Sequence, residues 1–244
     1  MAELYVIGMG PGDAQSLTGT ARSALDRAEL ICGYTLYVEL LKPLYPDKET
    51  YTTGMTGELA RCRWCLMQAA AGKTVALVCS GDAGVYGMAS PVLELAAEYP
   101  AVKVEVIPGV TAALSGAALL GAPLGHDFCV VSLSDRLTDW TAIEKRLRMA
   151  ARGDFAICLY NPASKHRADY LKRACDILLE EMDGSAVCGL VRMIGREGES
   201  YRVLDLKALR ETEADMFTTV FVGAPQTVFV GDRLVTPRGY RECF

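Results

Sequence analysis

Three times in the N-terminal half of the chain, a short strand-forming run ends in a glycine turn and is followed by a helix-forming stretch. The runs are Leu4-Tyr5-Val6-Ile7 before Gly8-Met9-Gly10-Pro11-Gly12-Asp13, Thr74-Val75-Ala76-Leu77-Val78 before the stretch Cys79 to Met88, and Val102 to Ile107 before Pro108-Gly109-Val110-Thr111-Ala112-Ala113. Strand runs alternating with helical periodicity predict a parallel sheet covered by helices. All three turns then fall on the carboxyl edge of that sheet, where open α/β folds bind ligands. Glycines at such turns let a ligand approach the backbone closely.

Between these runs, Leu17–Ala28, Glu58–Ala71 and Ala89–Glu98 have helical spacing, Glu29–Cys32 reads as a strand, and Pro43–Gly57 reads as loop. The stretch Leu119 to Gly125, with two glycines and a proline, reads as a linker between residues 1–120 and residues 121–244. Beyond it the periodicity restarts. Strands are expected at Asp127–Leu133, Asp154–Tyr160, Ala186–Arg192, Tyr201–Leu204 and Phe217–Gly223, with helices around Glu144–Arg148, Lys165–Glu181 and Leu206–Glu211. The expected fold class is α/β, built as two α/β domains.

A chain of 244 residues that is 51% hydrophobic and 23% charged buries a substantial core, and its net charge of −5 argues against general nucleic-acid binding. No apolar run approaches the roughly 20 residues that span a bilayer, and the first residues enter a strand without a basic leader, so the expectation is a cytoplasmic protein away from membranes. Nine cysteines scattered through expected strands and helices fit reduced core thiols. Cys62 and Cys65 form a C-x-x-C inside a helix with no second pair, and the two histidines have no zinc-ligand spacing, so no metal is expected. Neither a G-x-S-x-G elbow nor a P-loop occurs. The turn after the first strand departs from G-x-G-x-x-G, because Pro11 lacks an N–H and Asp13 replaces the third glycine and would repel a pyrophosphate. Such a composition suits a reaction in which a cofactor carries the reactivity and the protein aligns two reactants.

In order and spacing, G-M-G-P-G-D (Gly8 to Asp13), S-G-D-A-G-V-Y-G (Ser80 to Gly87) and P-G-V-T-A (Pro108 to Ala112) resemble the tetrapyrrole methylase family. G-A-P-L-G-H-D-F (Gly121 to Phe128), S-L-S-D (Ser132 to Asp135), L-Y-N-P-A-S-K-H-R (Leu159 to Arg167), G-R-E-G-E (Gly195 to Glu199), D-M-F-T-T-V (Asp215 to Val220) and T-P-R-G-Y (Thr236 to Tyr240) are similar to its precorrin-3B and cobalt-factor III C(17)-methyltransferase branch. Members of the branch with a cysteine-rich iron–sulfur extension differ from this sequence after Phe244. The resemblance implies S-adenosylmethionine held in a cleft between two α/β domains, S-adenosylhomocysteine as product, a corrin-precursor substrate, ring contraction coupled to methylation, and a homodimer. Carried over position by position, it implies cofactor contacts at Pro11, Ser80, Gly81, Asp82, Val85, Thr111, Ala112, Asn161 and, by a looser alignment, Ile194.

Ring contraction calls for a proton donor or acceptor, and His126 beside Asp127 is the candidate pair, although a turn residue and a strand cap would look the same. Asp82 could equally bond the backbone of its own turn. Arg61, Arg63, Arg192, Arg196 and Arg238 are candidates to bind substrate carboxylates, each equally readable as half of a surface salt bridge. A sibling methylase of other regiochemistry and a non-catalytic tetrapyrrole carrier are the alternative readings.

Overall fold

The computed structural model describes residues 3–164 and 167–240. Two compact units divide at Ala112 and Ala113. The first contains β1 (Glu3–Gly8), α1 (Gly19–Arg27), β2 (Leu30–Tyr34), α2 (Thr35–Leu41), β3 (Glu49–Thr53), α3 (Glu58–Ala70), β4 (Thr74–Cys79), α4 (Ala89–Ala96) and β5 (Lys103–Ile107). Its five strands are all parallel, in the order β3-β2-β4-β1-β5.

Alternation along the strands sorts the core into two layers. Leu4, Val6, Leu30, Cys32, Val75 and Leu77 pack with Cys62, Cys65 and Leu66 of α3 and Val92 of α4. Tyr5, Ile7, Ile31, Ala76 and Val78 pack on the other face with Ala21, Ala24 and Leu25 of α1 and Val38 and Leu41 of α2. The adjacent strands β1 and β4 therefore send their following helices to opposite faces. This is the topological switch point of the sheet, the position where such folds open a ligand crevice.

The stretch expected to be loop contains β3. Its sequence, Glu-Thr-Tyr-Thr-Thr, lies at the sheet edge and is mostly exposed, so it lacks the apolar signal of a buried strand. Lys48, just before it, donates through Nζ to the carbonyls of Leu25, Asp26 and Ala28 at 2.7, 2.7 and 2.5 Å, closing the C-terminus of α1. Cys62 and Cys65 are fully buried free thiols, as their helical position implied.

The second unit opens with α5 (Ala112–Leu120) and continues through β6 (Gly121–Ala122), β7 (Phe128–Ser132), α6 (Trp140–Arg152), β8 (Ala156–Tyr160), α7 (Tyr170–Leu179), β9 (Val187–Arg192), β10 (Ser200–Asp205), α8 (Leu206–Arg210), β11 (Thr218–Val222), β12 (Val228–Val230) and β13 (Arg233–Val235). A mixed sheet runs β10-β9-β11-β8-β7, and a small sheet runs β12-β13-β6. Ile143 and Leu147 of α6, Leu171 and Leu178 of α7, and Leu206 and Leu209 of α8 cover one face of the mixed sheet.

The expected linker is corrected on two counts. The boundary lies one helix earlier, because α5 packs onto the sheet of the second unit: a Cβ on Gly116 would stand 2.9 Å from the Phe221 ring, and one on Gly189 would stand 2.6 Å from Leu120. Gly121–Ala122 is not free connector either, since it pairs with Leu234 and Val235 as β6. Among the described residues, no helix is long and apolar enough to cross a membrane.

Candidate cofactor site at the carboxyl edge of the parallel sheet

In the first unit, the three glycine turns converge as the sequence predicts, since β4, β1 and β5 are neighbours and parallel. Gly10 and Gly81 exchange two backbone hydrogen bonds, of 3.0 and 2.7 Å, so the β1 and β4 turns are stitched together across the switch point. The β5 turn is pressed against both. A Cβ on Gly109 would stand 2.2 Å from the Gly81 carbonyl oxygen and 2.4 Å from that of Gly8, which only glycine satisfies.

Asp82 closes the arrangement. Its Oδ1 accepts the Gly84 amide at 2.8 Å and its Oδ2 accepts the Gly109 amide at 2.9 Å, so it bonds its own turn and also a turn from another strand. Thr111 lies over Gly81, where an added Cβ would stand 3.5 Å from the Thr111 Cα. Pro11 and Gly81 are buried, while Ser80, Asp82, Val85, Thr111 and Ala112 are half-buried. The structure thus brings together seven of the expected cofactor positions on one edge.

The electrostatics of this edge select the kind of group it accepts. Burial works to raise the Asp13 carboxyl, but bonds from the Ser16 hydroxyl and amide outweigh it and hold the group below the usual carboxylate range. Asp13 and Asp82 thus put two carboxylates beside the switch-point turns. A pyrophosphate would meet like charge there, whereas a cationic sulfonium or ammonium group would not.

In the second unit, β7, β8 and β9 run in the same direction, so Ser132, Tyr160 and Arg192 end on one edge. Just past these ends, Asn161 and Met193 hold left-handed backbone conformations, φ 54° and 55°, that residues other than glycine rarely adopt. Asn161 donates through Nδ2 to Ser132 Oγ at 2.9 Å, and Tyr160 accepts the Ala113 amide on its hydroxyl at 2.7 Å. Ile194 follows Met193, and its side chain turns inward toward Gly116 of α5. Met193 carries no sequence signal for its strain. Lys165 and His166, within the motif around Asn161, lie outside the described residues.

His126 and Asp127 are not on this edge. Both are exposed and precede Phe128 at the amino end of β7, so five residues of strand, about 17 Å, separate them from Ser132 and Asn161. The segment is tied instead to the end of the chain: Thr236 donates to the Pro123 carbonyl at 2.6 Å, and its own carbonyl lies 2.4 Å from where a Cβ on Gly125 would be. The pairing of a rare histidine with a carboxylate was a local signal that could not report which end of a strand it occupied.

The five expected arginines separate. Arg61 is buried, and its Nη1 donates to Thr53 Oγ1 at 2.5 Å and the Gly54 carbonyl at 2.8 Å, so it anchors the chain after β3 and presents nothing to a substrate. Arg63 pairs with Glu98 at 2.7 Å on the surface. Arg192 lies at the end of β9, its Nε on Asp215 at 2.7 Å, and the Asp215 carboxyl stays below its usual range because bonds from Thr218 and Arg192 outweigh its burial. Arg196 sits in the turn beyond Ile194, and Arg238 lies 6.0 Å from the Tyr240 ring centre.

The family profile described as Tetrapyrrole (Corrin/Porphyrin) Methylases matches residues 3–210. The chain belongs to the tetrapyrrole methylase family. A probable cobalt-factor III C(17)-methyltransferase of Salmonella typhimurium is 44% identical over 97% of this chain and 99% of its own length. A cobalt-factor III methyltransferase of Priestia megaterium is 45% identical over 98% of this chain, which spans 45% of that longer protein. A precorrin-3B C(17)-methyltransferase of a Sinorhizobium species is 41% identical over 97% of this chain and 96% of its own length. Among solved structures, the methyltransferase CobJ superposes with a TM-score of 0.89 at 38% identity, covering 96% of this chain and 99% of that one. A Thermus thermophilus uroporphyrin-III C-methyl transferase complexed with S-adenosyl homocysteine shares the fold, with a TM-score of 0.71 at 24% identity over 91% of this chain and 97% of that one.

Tetrapyrrole methylases use S-adenosylmethionine. The first unit of this tetrapyrrole methylase fits that group: its switch-point turns carry carboxylates instead of a phosphate cradle, and half-buried Val85, Thr111 and Ala112 supply an apolar surface beside exposed backbone.

Proposed function

We propose that this tetrapyrrole methylase transfers a methyl group from S-adenosylmethionine to C(17) of cobalt-factor III or precorrin-3B, with contraction of the macrocycle, in cobalamin biosynthesis. The observation that carries the reading is the match to the Salmonella relative, 44% identical over 97% of this chain and 99% of the other. We assign cofactor binding to Pro11, Ser80, Gly81, Asp82, Val85, Thr111 and Ala112 in the first unit, and to Asn161 and the Ile194 backbone in the second.

The bound cofactor supplies an electrophilic methyl group on a sulfonium. The protein's task is alignment, since an in-line displacement needs little acid or base help. The glycine turns, fixed to one another through Gly10, Gly81, Gly109 and Asp82, form a rigid backbone surface that loses little freedom when a ligand binds. The carboxylates of Asp13 and Asp82 favour the cofactor's positive charge over an anionic competitor. Arg192 and Arg196, near the Asn161 edge, are our candidates in that unit for the substrate's carboxylates, with exposed Arg238 as a third.

We further propose a cytoplasmic homodimer. Eight free cysteines among the described residues are consistent with a reducing compartment. Exposed Leu59 and Met67 on α3 and Leu93 on α4 are consistent with a buried partner face. Light scattering reads the subunit number and cell fractionation the compartment.

The decisive experiment incubates the purified protein and S-adenosylmethionine with cobalt-factor III and precorrin-3B in parallel, followed by mass spectrometry and NMR. One macrocycle is expected to gain a single methyl at C(17) and to lose its C(20) bridge. Methylation of neither, or at another carbon, overturns the reading.

A further inference from the structure

Two arginines that the motif reading left without a role stand against aromatic rings in the second unit. Trp140, the first residue of α6, and Tyr170, the first of α7, pack with ring centres 4.8 Å apart. Arg173 lies over both rings, 3.9 Å from the Trp140 centre and 4.9 Å from that of Tyr170, and Arg167 lies 5.9 Å from the Tyr170 centre. We propose that Arg167 and Arg173, stacked on the Trp140–Tyr170 pair, recognise carboxylates on the rim of the tetrapyrrole substrate. The proposal rests on the functional reading above and deepens it.

The arrangement is fixed before any ligand arrives. The Tyr170 hydroxyl donates to Asp135 Oδ2 at 2.5 Å, and Arg167 Nη1 reaches Asp135 Oδ1 at 3.1 Å. Arg167 also donates to Ser134 Oγ at 2.8 Å and, through Nε, to Ser164 Oγ at 3.0 Å. Ser134 donates its amide to Ser132 Oγ at 3.2 Å, the same oxygen that accepts Asn161 Nδ2. A continuous set of hydrogen bonds therefore links Arg167 to Asn161, with Arg173 joined to it over the Tyr170 ring, and the loops involved follow the carboxyl ends of β7 and β8.

Arg173 is the informative member. Among the described residues it makes no ion pair, unlike Arg63, Arg148, Arg152, Arg192 and Arg210, each of which holds a carboxylate. Arg173 also interacts with the Tyr170 hydroxyl, and a guanidinium held over a ring face keeps its remaining in-plane N–H groups for a carboxylate, in an orientation already fixed by the rings. In the loop between β7 and α6, between Asp135, which holds Arg167, and Trp140, which lies under Arg173, Leu137 is 99% exposed, an apolar side chain given to solvent. An apolar side chain on the loop that carries partners of both arginines suits an apolar macrocycle rimmed with carboxylates, and a chain of net charge −5 needs such a local cationic site to bind that anion.

The test compares wild type, Arg173→Gln, Arg173→Lys and Arg167→Gln, with Arg152→Gln as a surface control, each supplied with S-adenosylmethionine and the macrocycle that wild type methylates. Arg173→Gln is expected to raise KM about tenfold and to flatten its salt dependence, with kcat within about twofold of wild type. Arg173→Lys, which keeps the charge and loses the fork, falls between. S-adenosylhomocysteine affinity by titration calorimetry and the thermal midpoint stay at wild-type values for Arg173→Gln, which separates this role from a structural one. Arg167→Gln, whose partner Asp135 is left unpaired, is read only if its melting curve is retained. An unchanged KM and salt dependence in Arg173→Gln overturns the proposal. So does a loss matched by equal losses in cofactor affinity and melting. A wild type that methylates neither macrocycle overturns the functional reading and this proposal together, whereas an active wild type with an indifferent Arg173→Gln variant overturns this proposal alone.

Discussion

Asp82 accepts the Gly109 amide at 2.9 Å and so fastens the turn after β4 to the turn after β5. Its other oxygen holds Gly84, leaving one carboxylate to organise two of the three glycine turns. Hydrogen bonds to an ionised acceptor contribute roughly 1.5–3 kcal/mol each, and an orphaned amide adds its own desolvation cost. Asp82→Ala should therefore lower unfolding free energy in urea by about 2 kcal/mol or more and weaken S-adenosylhomocysteine binding about tenfold, with Asp82→Asn intermediate because one oxygen remains. A variant that unfolds and binds like wild type would place the fastening elsewhere.

The convergence of the turns also predicts opposite outcomes for two glycine substitutions. Gly109→Ala drives a methyl to 2.2 Å from a backbone oxygen that cannot rotate away, so the variant should lose cofactor binding and melt earlier by several degrees. Gly19, the first residue of α1, has no atom within 4 Å of a new Cβ, so Gly19→Ala should raise stability by up to about 1 kcal/mol through helix propensity. Differential scanning calorimetry of the pair reads both signs. Equal effects would mean that the turns are looser than their geometry requires.

How much of this was legible in the sequence depended on whether a signal was local. The buried strands β1 and β4 declare themselves through apolar runs that end in glycine turns, and the edge strand β5 through the alternation of Val102 to Ile107 before Pro108-Gly109; the edge they share follows once the sheet is parallel. The strand β3 does not, because an edge strand of Thr and Tyr is solvated and its pairing with Leu30–Tyr34 is set by tertiary contact. The linker reading failed for a related reason: Gly121 and Ala122 look like connector until Leu234 and Val235, more than a hundred residues later, supply a strand to pair with. The glycine turns were legible as a place where a ligand can approach the backbone, because glycine after a buried strand is a local signal. Arg61 could not be sorted from Arg192 by residue type, because only packing decides that one guanidinium is buried on Thr53 while the other lies at a strand end.

The placement of His126 gives a test in which the expected result is little change. His126 and Asp127 stand at the amino end of β7, while Ser132, Asn161 and Met193 gather at the carboxyl ends. A group about 17 Å from that edge cannot reach a reacting atom held there. His126→Ala and Asp127→Asn should keep kcat for methyl transfer and for ring contraction within about threefold of wild type, or about 0.6 kcal/mol of barrier. A loss of a hundredfold or more in ring contraction with methylation retained would restore the pair to the chemistry.

The buried thiols predict how stability depends on pH. Burial pushes the Cys62 and Cys79 thiols up to about 11 and those of Cys158 and Cys175 up to about 12, from 9.0. In the unfolded chain these groups ionise near pH 9, so above that pH the folded state binds more protons than the unfolded state. The sign of the linkage is then negative: stability is fully present below about pH 9 and is lost as pH rises toward 11 and 12, each thiol adding about 1.4 kcal/mol per pH unit to the slope within its window. Lysines and tyrosines titrate in the same range, so the comparison is made against Cys79→Ala. Removing Cys79 costs packing at every pH, but it also removes one thiol's share of the alkaline penalty. The stability gap between wild type and Cys79→Ala, measured by urea unfolding at pH 8, 9, 10 and 11, should therefore narrow by about 1.4 kcal/mol per unit between pH 9 and 11 and stay constant below. A gap that is flat across the whole range would mean that Cys79 ionises as readily folded as unfolded, and that the edge of β4 beneath the glycine turns is wetter than its burial implies.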